Sequence, residues 1–590
     1  MAGLFDTFTV AKRGLSVQQG NINTSSHNIA NAQTAGYSRQ RAVASTTRPF
    51  GGMSRFDSCS VGQVGTGAEI TQIMRIRDSF LDYQVRTETT NFGTANTKNQ
   101  YLYQVEDILN ETTSTGVQGA LSAFYNAFQE LSKAPEKESN RTVALQQASA
   151  LADALNSRYT QLENKKNDAQ KELSEYVTDI NKMLDQINDL NKQIASVAAV
   201  GMTPNDLMDS RDYLIDQLSS KFGVKIDKQS HETIDLSVSE DQAIGNLVNS
   251  NPNDSNYSRF SYVENATINA AGELEVTYNV LGDKNNQQTI KITGTADELK
   301  KLKNNLLEDR ILVADKDGLV NGATDVASMD KKIFNNVTKG EIAGNQKVQD
   351  DIQGYMDKLD KFTVSFAYAV NAIQTGSTEI GTTGIDGYPA GKQAELIFVV
   401  KNEDGSLSTS DTGITAKNIT INSVIEKDTS LLNCGEKYVD DISGDKDGSR
   451  ALAIADLKNL KIDIGNLKIE DIGSRKDFFD TDASGIGFAA TDTSKLNLVN
   501  TNGGTGSKLD EYYKTIISGL ATDSKDALTA LQNQNSILVA LNNQRLSVSG
   551  VSLDEEMSDL IQFQHSYQAN AKMINTVDEL LDVVINGLKR

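Results

Sequence analysis

Side chains that commonly carry catalytic or metal-binding chemistry are few in this sequence. The three histidines are His27, His231 and His565, and no second histidine follows His231 at the spacing of the His-Glu-x-x-His zinc motif. The sequence offers no grouping of a nucleophile with a histidine and an acid. We therefore expect no catalytic residue, no metal site and no cofactor, and we do not expect an enzyme.

Three acidic turns have the composition of calcium loops, and one glycine pair has that of a phosphate loop. The turns are Asp315-Lys-Asp-Gly318, Glu403-Asp-Gly405 and Asp445-Lys-Asp-Gly448. None has the glutamate at the twelfth position and the regular ligand spacing of an EF-hand. The pair Gly65-Thr-Gly67 lacks the third glycine and the lysine of a phosphate loop. We interpret all four segments as ordinary turns and loops.

The composition of the chain excludes several further functional classes. The 590 residues include 79 acidic and 57 basic side chains without a strongly basic patch, which argues against nucleic acid as a partner. No apolar run approaches the roughly 18 residues of a membrane-spanning helix, so we expect no membrane insertion. The first residues lack the apolar core and cleavage site of a secretory signal peptide. Cys59 and Cys434 are interpreted as two unpaired thiols.

Both ends of the chain carry long series of residues at heptad spacing. Near the start the two series are Phe8, Leu15, Ile22, Ile29 and Leu4, Ala11, Gln18, Ser25. Near the end they are Leu553, Leu560, Tyr567, Ile574, Leu581, Leu588 and Met557, Gln564, Ala571, Asp578, Ile585. Alternating steps of four and three are typical of a coiled-coil seam, and neither helix can bury its seam alone. We predict that the first and last helices pair as a coiled coil.

The charges of the two ends favour this pairing. Residues 1–48 hold five basic side chains and one acidic one, whereas residues 551–590 hold seven acidic and three basic ones. Opposite net charges help two helices, or two neighbouring subunits, to select each other, although each exposed pair adds little stability.

A compact polar segment follows the first helix, Asn28-Ile-Ala-Asn31-Ala-Gln-Thr34-Ala-Gly36-Tyr37. Gly36 suits a chain reversal that requires a positive φ angle. Tyr37 supplies a large ring and a hydroxyl for packing.

In the middle of the chain the spacing of apolar residues changes from a helical period to that of strands, and later back to a helical period. Residues 78–220 are predicted to be almost wholly helical, with separate helices opening at Arg141 and near Leu173. The segment Asn205-Asp-Leu-Met-Asp209-Ser-Arg211-Asp212 is interpreted as a helix cap with a structural ion pair. Strand alternation follows over residues 226–342, and residues 476–504 are predicted to form a loop.

These patterns predict a mainly α fold with an inserted β-rich domain. An interrupted α-helical domain forms the middle, and the β-rich domain lies outside it. The predicted segments are 1–48 and 550–590 for the terminal coiled-coil core, 49–225, 343–375 and 414–549 for the helical domain, 226–342 for the inserted β-rich outer domain, and 376–413 for a small inserted subdomain or loop.

Paired terminal heptads with an Asn-x-Ala-Asn-x-x-Thr-x-Gly-Tyr segment resemble the axial proteins of the bacterial flagellum, which include rod, hook and hook-associated proteins. Two further segments are similar to those of the hook-associated members at the junction of hook and filament. They are Glu130-Leu-Ser-Lys-Ala-Pro135 with its following Arg141, and the acidic segment Asn205–Asp212.

The resemblance implies an extracellular structural subunit that joins hook to filament and is exported by the flagellar type III channel without a cleaved signal. It also implies self-association in an axial assembly, hook protein and a second junction protein as partners, and an export chaperone at the C-terminal helix. Ordering of the terminal helices would accompany polymerisation. The expected subunit-interface residues are Leu4, Phe8, Leu15, Ile22, Ile29, Asn28, Asn31, Gly36, Tyr37, Leu553, Met557, Leu560, Tyr567, Ile574, Leu581, Ile585 and Leu588.

Three alternatives are left by the sequence. Another axial protein is the nearest, although flagellin would lack the polar segment after the first helix and hook protein the long helical middle. A secreted coiled-coil adhesin would need only one oligomerising helix. An enzyme within the inserted domain is disfavoured by the shortage of catalytic side chains.

Overall fold

The structure is a computed structural model that describes residues 4–49, 65–110, 116–379, 381–389, 391–402, 404–439, 446–480, 484–489 and 492–587. Of the residues singled out above, Cys59, Glu403, Asp445 and Leu588 lie outside the described residues, as does the side chain of Leu4. In these ranges no helix has both the length and the apolarity needed to cross a bilayer.

Helices dominate the described chain. They are α1 (Leu4–Asn31), α2 (Ser79–Leu109), α3 (Val117–Lys133), α4 (Glu138–Ala199), α5 (Asn205–Lys221), α6 (Ala296–Asp309), α7 (Val326–Asp330), α8 (Glu341–Thr375), α9 (Ser423–Lys427), α10 (Ser449–Asp456), α11 (Arg475–Asp480), α12 (Leu509–Ser549) and α13 (Leu553–Gly587).

The strands form small sheets, and every paired strand is antiparallel to its neighbour. They are β1 (Gln40–Thr46), β2 (Ala68–Arg75), β3 (Val224–Lys228), β4 (Ile234–Val238), β5 (Asn246–Val248), β6 (Arg259–Ile268), β7 (Leu274–Asn279), β8 (Gln287–Ile292), β9 (Ile311–Ala314), β10 (Phe398–Val400), β11 (Ile419–Ile421), β12 (Ile486–Phe488) and β13 (Leu498–Asn500). A mainly helical fold with an inserted β-rich segment is therefore confirmed.

The chain divides into two compact units. Unit 1 contains the residues up to Asn96, Glu172–Asn345 and the residues from Ala530 onward, whereas unit 2 contains Thr97–Lys171 and Gln346–Thr529. Both ends of the chain therefore belong to unit 1, together with the β-rich segment. The domain division predicted from the sequence was drawn from element patterns alone, and it stays a prediction.

Unit 1 has a four-stranded sheet in the order β8-β7-β6-β9 and a three-stranded sheet in the order β3-β4-β5. Helix α6 covers the larger sheet with Leu299, Leu302 and Leu306, which recur at helical spacing and are buried. A capping box between Thr295 and Glu298 begins this helix. The heptad residues of α4 from Leu173 onward pack against the smaller sheet.

Unit 2 is built around aromatic rings on α3 and α8. The ring of Phe124 lies 4.6 Å from that of Phe128 and 5.0 Å from that of Phe366, measured between centroids. All three are buried, and Phe398 of β10 joins the same cluster. Aromatic pairs at these distances stabilise a core beyond their buried area, so this cluster defines the centre of the unit.

Two predictions about the middle of the chain are wrong. The helices expected to open separately at Arg141 and near Leu173 are one continuous helix, α4, because no glycine or proline interrupts Glu138–Ala199. The loop expected over residues 476–504 contains the end of α11 and a hairpin in which β12 pairs with β13. Its strands are three residues long, which is too short for alternation to be visible in the sequence.

Candidate subunit interface

The first and last helices pack along each other within unit 1, and α1 contacts α13 more extensively than any other element. Gly14, in the first half of α1, lies so close to Asn570 that an added Cβ would come within 2.6 Å of its Oδ1. At the other end, Arg39 beyond α1 binds Glu556 in the first turn of α13. The two helices therefore run antiparallel, with the end of the Asn570 side chain against Gly14.

The residues of α1 that this packing covers differ in part from the predicted seam. Ala11 and Ser25 are buried, and Asn28 is buried against the segment that follows α1. Leu15, Ile22 and Ile29, from the more apolar predicted series, are only half-buried, and Phe8 is 36% exposed. The more apolar series of α1 is thus only partly covered within one chain.

In α13, too, some predicted seam residues are covered within one chain and others are exposed, and more of them are exposed than in α1. Glu556 and Val577 are buried, and the predicted residues Leu560, Ile574 and Leu581 are half-buried. The predicted residues that stay exposed in the single chain are Leu553, Met557, Tyr567 and Ile585. An amphipathic helix with a second exposed apolar face lacks a partner for that face.

Asn28 organises the polar segment after α1. Its side-chain oxygen accepts hydrogen bonds from the Gln40 amide at 2.9 Å and the Tyr37 hydroxyl at 2.8 Å, while its amide group donates to the Gln40 carbonyl at 2.9 Å. Because Tyr37 donates its one proton to Asn28, the His27 Nδ1 at 3.0 Å is the donor to Tyr37. Asn31 donates back to the His27 carbonyl at 3.1 Å.

The chain reverses at Gly36, whose φ angle is +79° as the sequence predicted. A Cβ at this position would lie 2.8 Å from the Cβ of Tyr213, so both the backbone and the packing require glycine. Tyr37, next in the chain, is half-buried. Burial, with the nearby charges of Asp206 and Asp209, raises the pKa of its hydroxyl, which therefore stays protonated and donates.

The residues that follow the polar segment bind the first turns of α5. Ser38 donates from its amide and its hydroxyl to the Asp209 carboxylate at 2.9 and 2.8 Å, and Gln40 donates to Asp206 at 2.7 Å. Asn205 does not cap α5, since Pro204 holds that position without a side-chain cap. Its amide instead donates to Gln40 and to the carbonyl of Ile73 on β2. The predicted cap is therefore wrong.

The ion pair predicted within the acidic segment is wrong, because no carboxylate among the described residues lies within 4 Å of the Arg211 guanidinium. The acids of the segment instead bind arginines from other parts of the chain. Arg75 at the end of β2 donates to Asp209 at 2.7 Å and to Asp212 at 2.9 Å. Arg77 lies 3.2 Å from Asp212, and Arg86 of α2 lies 3.5 Å from it. Burial alone would raise the pKa of Asp212, but these arginine charges outweigh it and lower the pKa to about 2.

Arginines connect this network to the C-terminal helices. Arg545 of α12 binds Asp216 of α5 at 2.7 Å. Arg39 binds Glu556 at 2.8 Å, and Glu555 at 2.9 Å, and its backbone amide donates to the carbonyl of Ser549 at 2.9 Å. Helix α5 therefore binds Ser38 and Gln40 from near the start of the chain and Arg545 from near its end.

Sequence reasoning missed most of these partners, although a local signal was present. Asp206, Asp209, Asp212 and Asp216 are spaced by three, three and four residues, which places them on one face of a helix. Such an acidic stripe predicts a basic counterpart. The sequence does not show which arginines supply it, because they lie far away in the chain.

Comparisons with known proteins find similarity to flagellar proteins along the chain. A family model described as the flagellar hook-associated protein FlgK helical domain matches residues 102–311, and one described as the flagellar basal body rod FlgEFG protein C-terminal matches residues 542–587. The flagellar hook-associated protein 1 of Bacillus subtilis is 31% identical over 594 residues, covering 100% of this chain and 99% of its own.

A second relative and a solved structure extend the similarity. The flagellar hook-associated protein 1 of Salmonella typhimurium is 24% identical over 597 residues, covering 98% of both chains. The structure of the flagellar hook junction protein FlgK from Burkholderia pseudomallei has a TM-score of 0.50 at 14% identity, and covers 79% of this chain and 100% of its own. At that identity the structural match supports the fold alone.

Proposed function

Because this chain belongs to the flagellar hook-associated protein 1 family, a family of structural flagellar proteins, we propose that it joins the hook to the filament. Assembly rather than catalysis is the activity. The apolar faces of α1 and α13 that stay exposed in one chain become buried against neighbouring subunits, so that ordering of the terminal helices is coupled to polymerisation.

The observation that supports this proposal most directly is the exposed apolar face of α13. Met557 is 58% exposed and Ile585 is 64% exposed, although the opposite face of the same helix packs on α1. Several exposed apolar side chains on one face of a helix are typical of a protein–protein interface. With Leu553 and Tyr567, they supply the seam through which the terminal helices would pair as a coiled coil with those of other copies.

The proposed partners are those that the resemblance to flagellar axial proteins implies. Hook protein on one side and a second junction protein on the other would each meet the assembled ring of terminal helices. Before export, a cytoplasmic chaperone would cover α13 and keep its exposed side chains from aggregating. Export would use the flagellar type III channel, and the protein would lie outside the cell.

Another axial protein is the second candidate, because a rod-protein model matches residues 542–587. That match covers only the terminal helix region, which axial proteins would share. The helical middle matches a hook-associated model over residues 102–311, and the relatives match along the full chain. These findings favour the junction protein over a rod, hook or filament subunit.

A double substitution on the exposed face of α13 tests the proposal. Met557→Asp with Ile561→Asp changes two side chains that are 58% and 53% exposed. Substitutions at such positions change the free energy of unfolding of the monomer by only about 0.5 kcal/mol each. We expect cells with this variant to export the protein but to lack filaments on their hooks, as seen by electron microscopy.

A matched control variant introduces two aspartates at exposed positions outside the terminal helices. Val143→Asp with Leu452→Asp also replaces two exposed apolar helical residues, which lie outside the terminal helices. Cells with the control should build normal filaments. Filaments of normal number and length on cells with the α13 variant would refute the proposal.

A further inference from the structure

A cavity of about 840 Å³ lies within unit 1, next to the arginine and aspartate network. Its walls come from the end of β2, the first turns of α2, part of α5, and β3. No sequence motif indicated this cavity, and the packing of α1 on α13 does not involve it. Seven basic and five acidic side chains line it, and this excess of positive charge favours an anion as the occupant.

Arg211 is the most deeply buried cation of this cavity. Its side chain is only 4% exposed, and it donates from Nη1 to the Asn191 side-chain oxygen at 2.9 Å and to the Glu232 carbonyl at 2.8 Å. Its Nε is buried and has no hydrogen-bond acceptor in the described part of the chain. Burying a guanidinium N–H without an acceptor is costly, so the site is incomplete as it stands.

The charge of Arg211 is also incompletely balanced. Arg75 and Arg86 each bind a carboxylate directly, but no carboxylate among the described residues lies within 4 Å of the Arg211 guanidinium. Burial accordingly lowers the pKa of Arg211 to about 10. A buried cation in this condition gains most from an anion that reaches it from outside.

The mouth of the cavity would attract such an anion. Lys228 and Lys339 line it and are exposed, and neither forms an ion pair with a described residue. Tyr83, also at the cavity, is 63% exposed and offers an aromatic face to an incoming segment. Exposed lysines at a cleft raise the local concentration of negative groups and speed their association.

We propose that this cavity binds the carboxylate of an Asp or Glu side chain from a second copy of this chain. The planar fork of a guanidinium fits a carboxylate, which would supply the acceptor that the Arg211 Nε lacks. The chain itself can supply the ligand, because its 79 acidic side chains outnumber its 57 basic ones. This inference rests on the proposed function, since only an assembly of like subunits holds two copies together.

Photocrosslinking from Tyr83 in assembled flagella tests the site. The substitution Tyr83→p-benzoylphenylalanine keeps an aromatic ring at an exposed position. Irradiation of isolated hooks with filaments should produce a covalent dimer of this chain. Mass spectrometry should place the crosslink on a segment that contains an exposed Asp or Glu.

Charge reversal shows whether the crosslink depends on the cavity. In the same background, Lys228→Glu with Lys339→Glu should reduce the dimer at least fivefold, whereas Lys284→Glu, exposed and outside the cavity, should leave it unchanged. The purified variants should unfold at the same urea concentration as the parent. The proposed site would be refuted if the dimer yield were unchanged by the double charge reversal. It would also be refuted if Tyr83→p-benzoylphenylalanine crosslinked only to another protein.

Immunogold labelling separates this inference from the proposed function. Label absent from hook tips refutes the proposed function and the carboxylate site with it. Label present at the tips without any self-crosslink from Tyr83 refutes the carboxylate site alone.

Discussion

The Nε of Arg39 lies 2.8 Å from the Oε1 of Glu556, although the two residues are 517 positions apart in the chain. Glu556 is 2% exposed and Arg39 is 25% exposed, so the pair sits at the edge of the packed region. One ion pair thus ties the segment after the first helix to the start of the last one. The opposite net charges of the two ends of the sequence are thus reflected in this specific contact between Arg39 and Glu556.

Replacing Arg39 with alanine should loosen α13. The buried Glu556 carboxylate loses its direct partner, and an unsatisfied buried acceptor costs about 1 to 3 kcal/mol. We expect faster amide exchange over the first turns of α13 in the purified protein. Arg41→Ala, at an exposed arginine two residues away, should leave exchange unchanged. Equal exchange in the two variants would show that the pair does not hold the helix.

Asp212 should make unit 1 sensitive to acid. Its pKa is about 2 in the folded protein, below the value of about 3.9 for an unfolded aspartate. Its stabilising contribution is therefore full above about pH 5 and is lost as the pH falls toward 2. A difference of two pKa units corresponds to about 2 to 3 kcal/mol.

The comparison of Asp212→Asn with Asp227→Asn measures this contribution. Asp227 is exposed, and its one ion pair among the described residues is with the exposed Lys225. Urea unfolding at pH 6 should show a loss for Asp212→Asn of about 2 kcal/mol relative to the control. At pH 3 that loss should shrink. A constant loss at both pH values would contradict the assigned pKa.

Asp360 should have the opposite pH dependence in unit 2. It is 8% exposed, accepts a hydrogen bond from the Ala416 amide at 2.7 Å, and burial raises its pKa to about 7. The folded protein therefore binds this proton more tightly than the unfolded chain does. Its free energy of unfolding should fall as the pH rises from about 4 to 7.

Asp360→Asn keeps an acceptor oxygen and removes the charge. It should stabilise unit 2 by about 2 to 4 kcal/mol at pH 8 and have little effect at pH 4, measured by urea unfolding. Asp456→Asn, at an exposed aspartate of the same unit, should change neither value. Destabilisation by Asp360→Asn at pH 8 would mean that the carboxylate is better paired than its contacts indicate.

Gly36→Ala should destabilise the polar segment. A positive φ of +79° is strained for alanine, and the added Cβ would meet Tyr213, so the cost should be about 1 to 3 kcal/mol. Gly354→Ala is the matched control, because Gly354 is helical and no atom lies within 4 Å of the position that an added Cβ would take. That change should stabilise by about 0.5 to 1 kcal/mol. Effects of the same sign on urea unfolding would refute the strain at Gly36.

The elements with the strongest period were predictable from the sequence. Leu173, Ile180, Ile187 and Ile194 of α4 are all fully buried, as their heptad spacing indicated. The resemblance to flagellar axial proteins is confirmed by relatives that match the whole chain. The period of apolar residues and short motifs can be recognised in a single sequence because they depend on residues only a few positions apart.

Contacts between distant residues were not predictable in the same way. Asp212 stood out in its motif, but its partners Arg75 and Arg77 lie more than a hundred positions away. Asp360 and Arg450 look like ordinary solvent-facing residues of helices. Burial of a charge is decided by the tertiary packing around it, and no local pattern records that packing.

Arg450 is the clearest such case, and its substitution should loosen the loops of unit 2. The side chain is 0% exposed and donates to backbone carbonyls only, among them those of Ile373, Gly435 at 3.0 Å, Glu436 at 3.2 Å and Lys495 at 3.3 Å. Burial lowers its pKa to about 10. A planar fork can bind acceptors from several segments at once, whereas a lysine ammonium cannot reach them all.

Arg450→Lys keeps the charge and removes the fork. We expect the free energy of unfolding to fall by about 2 to 4 kcal/mol and amide exchange to rise around Gly435 and Lys495. Arg158→Lys, at a half-buried helical arginine of the same unit, should stay within about 0.5 kcal/mol of the parent. If both lysine variants were equally stable, the carbonyl contacts of Arg450 would contribute nothing beyond its charge, and another element would have to hold these loops.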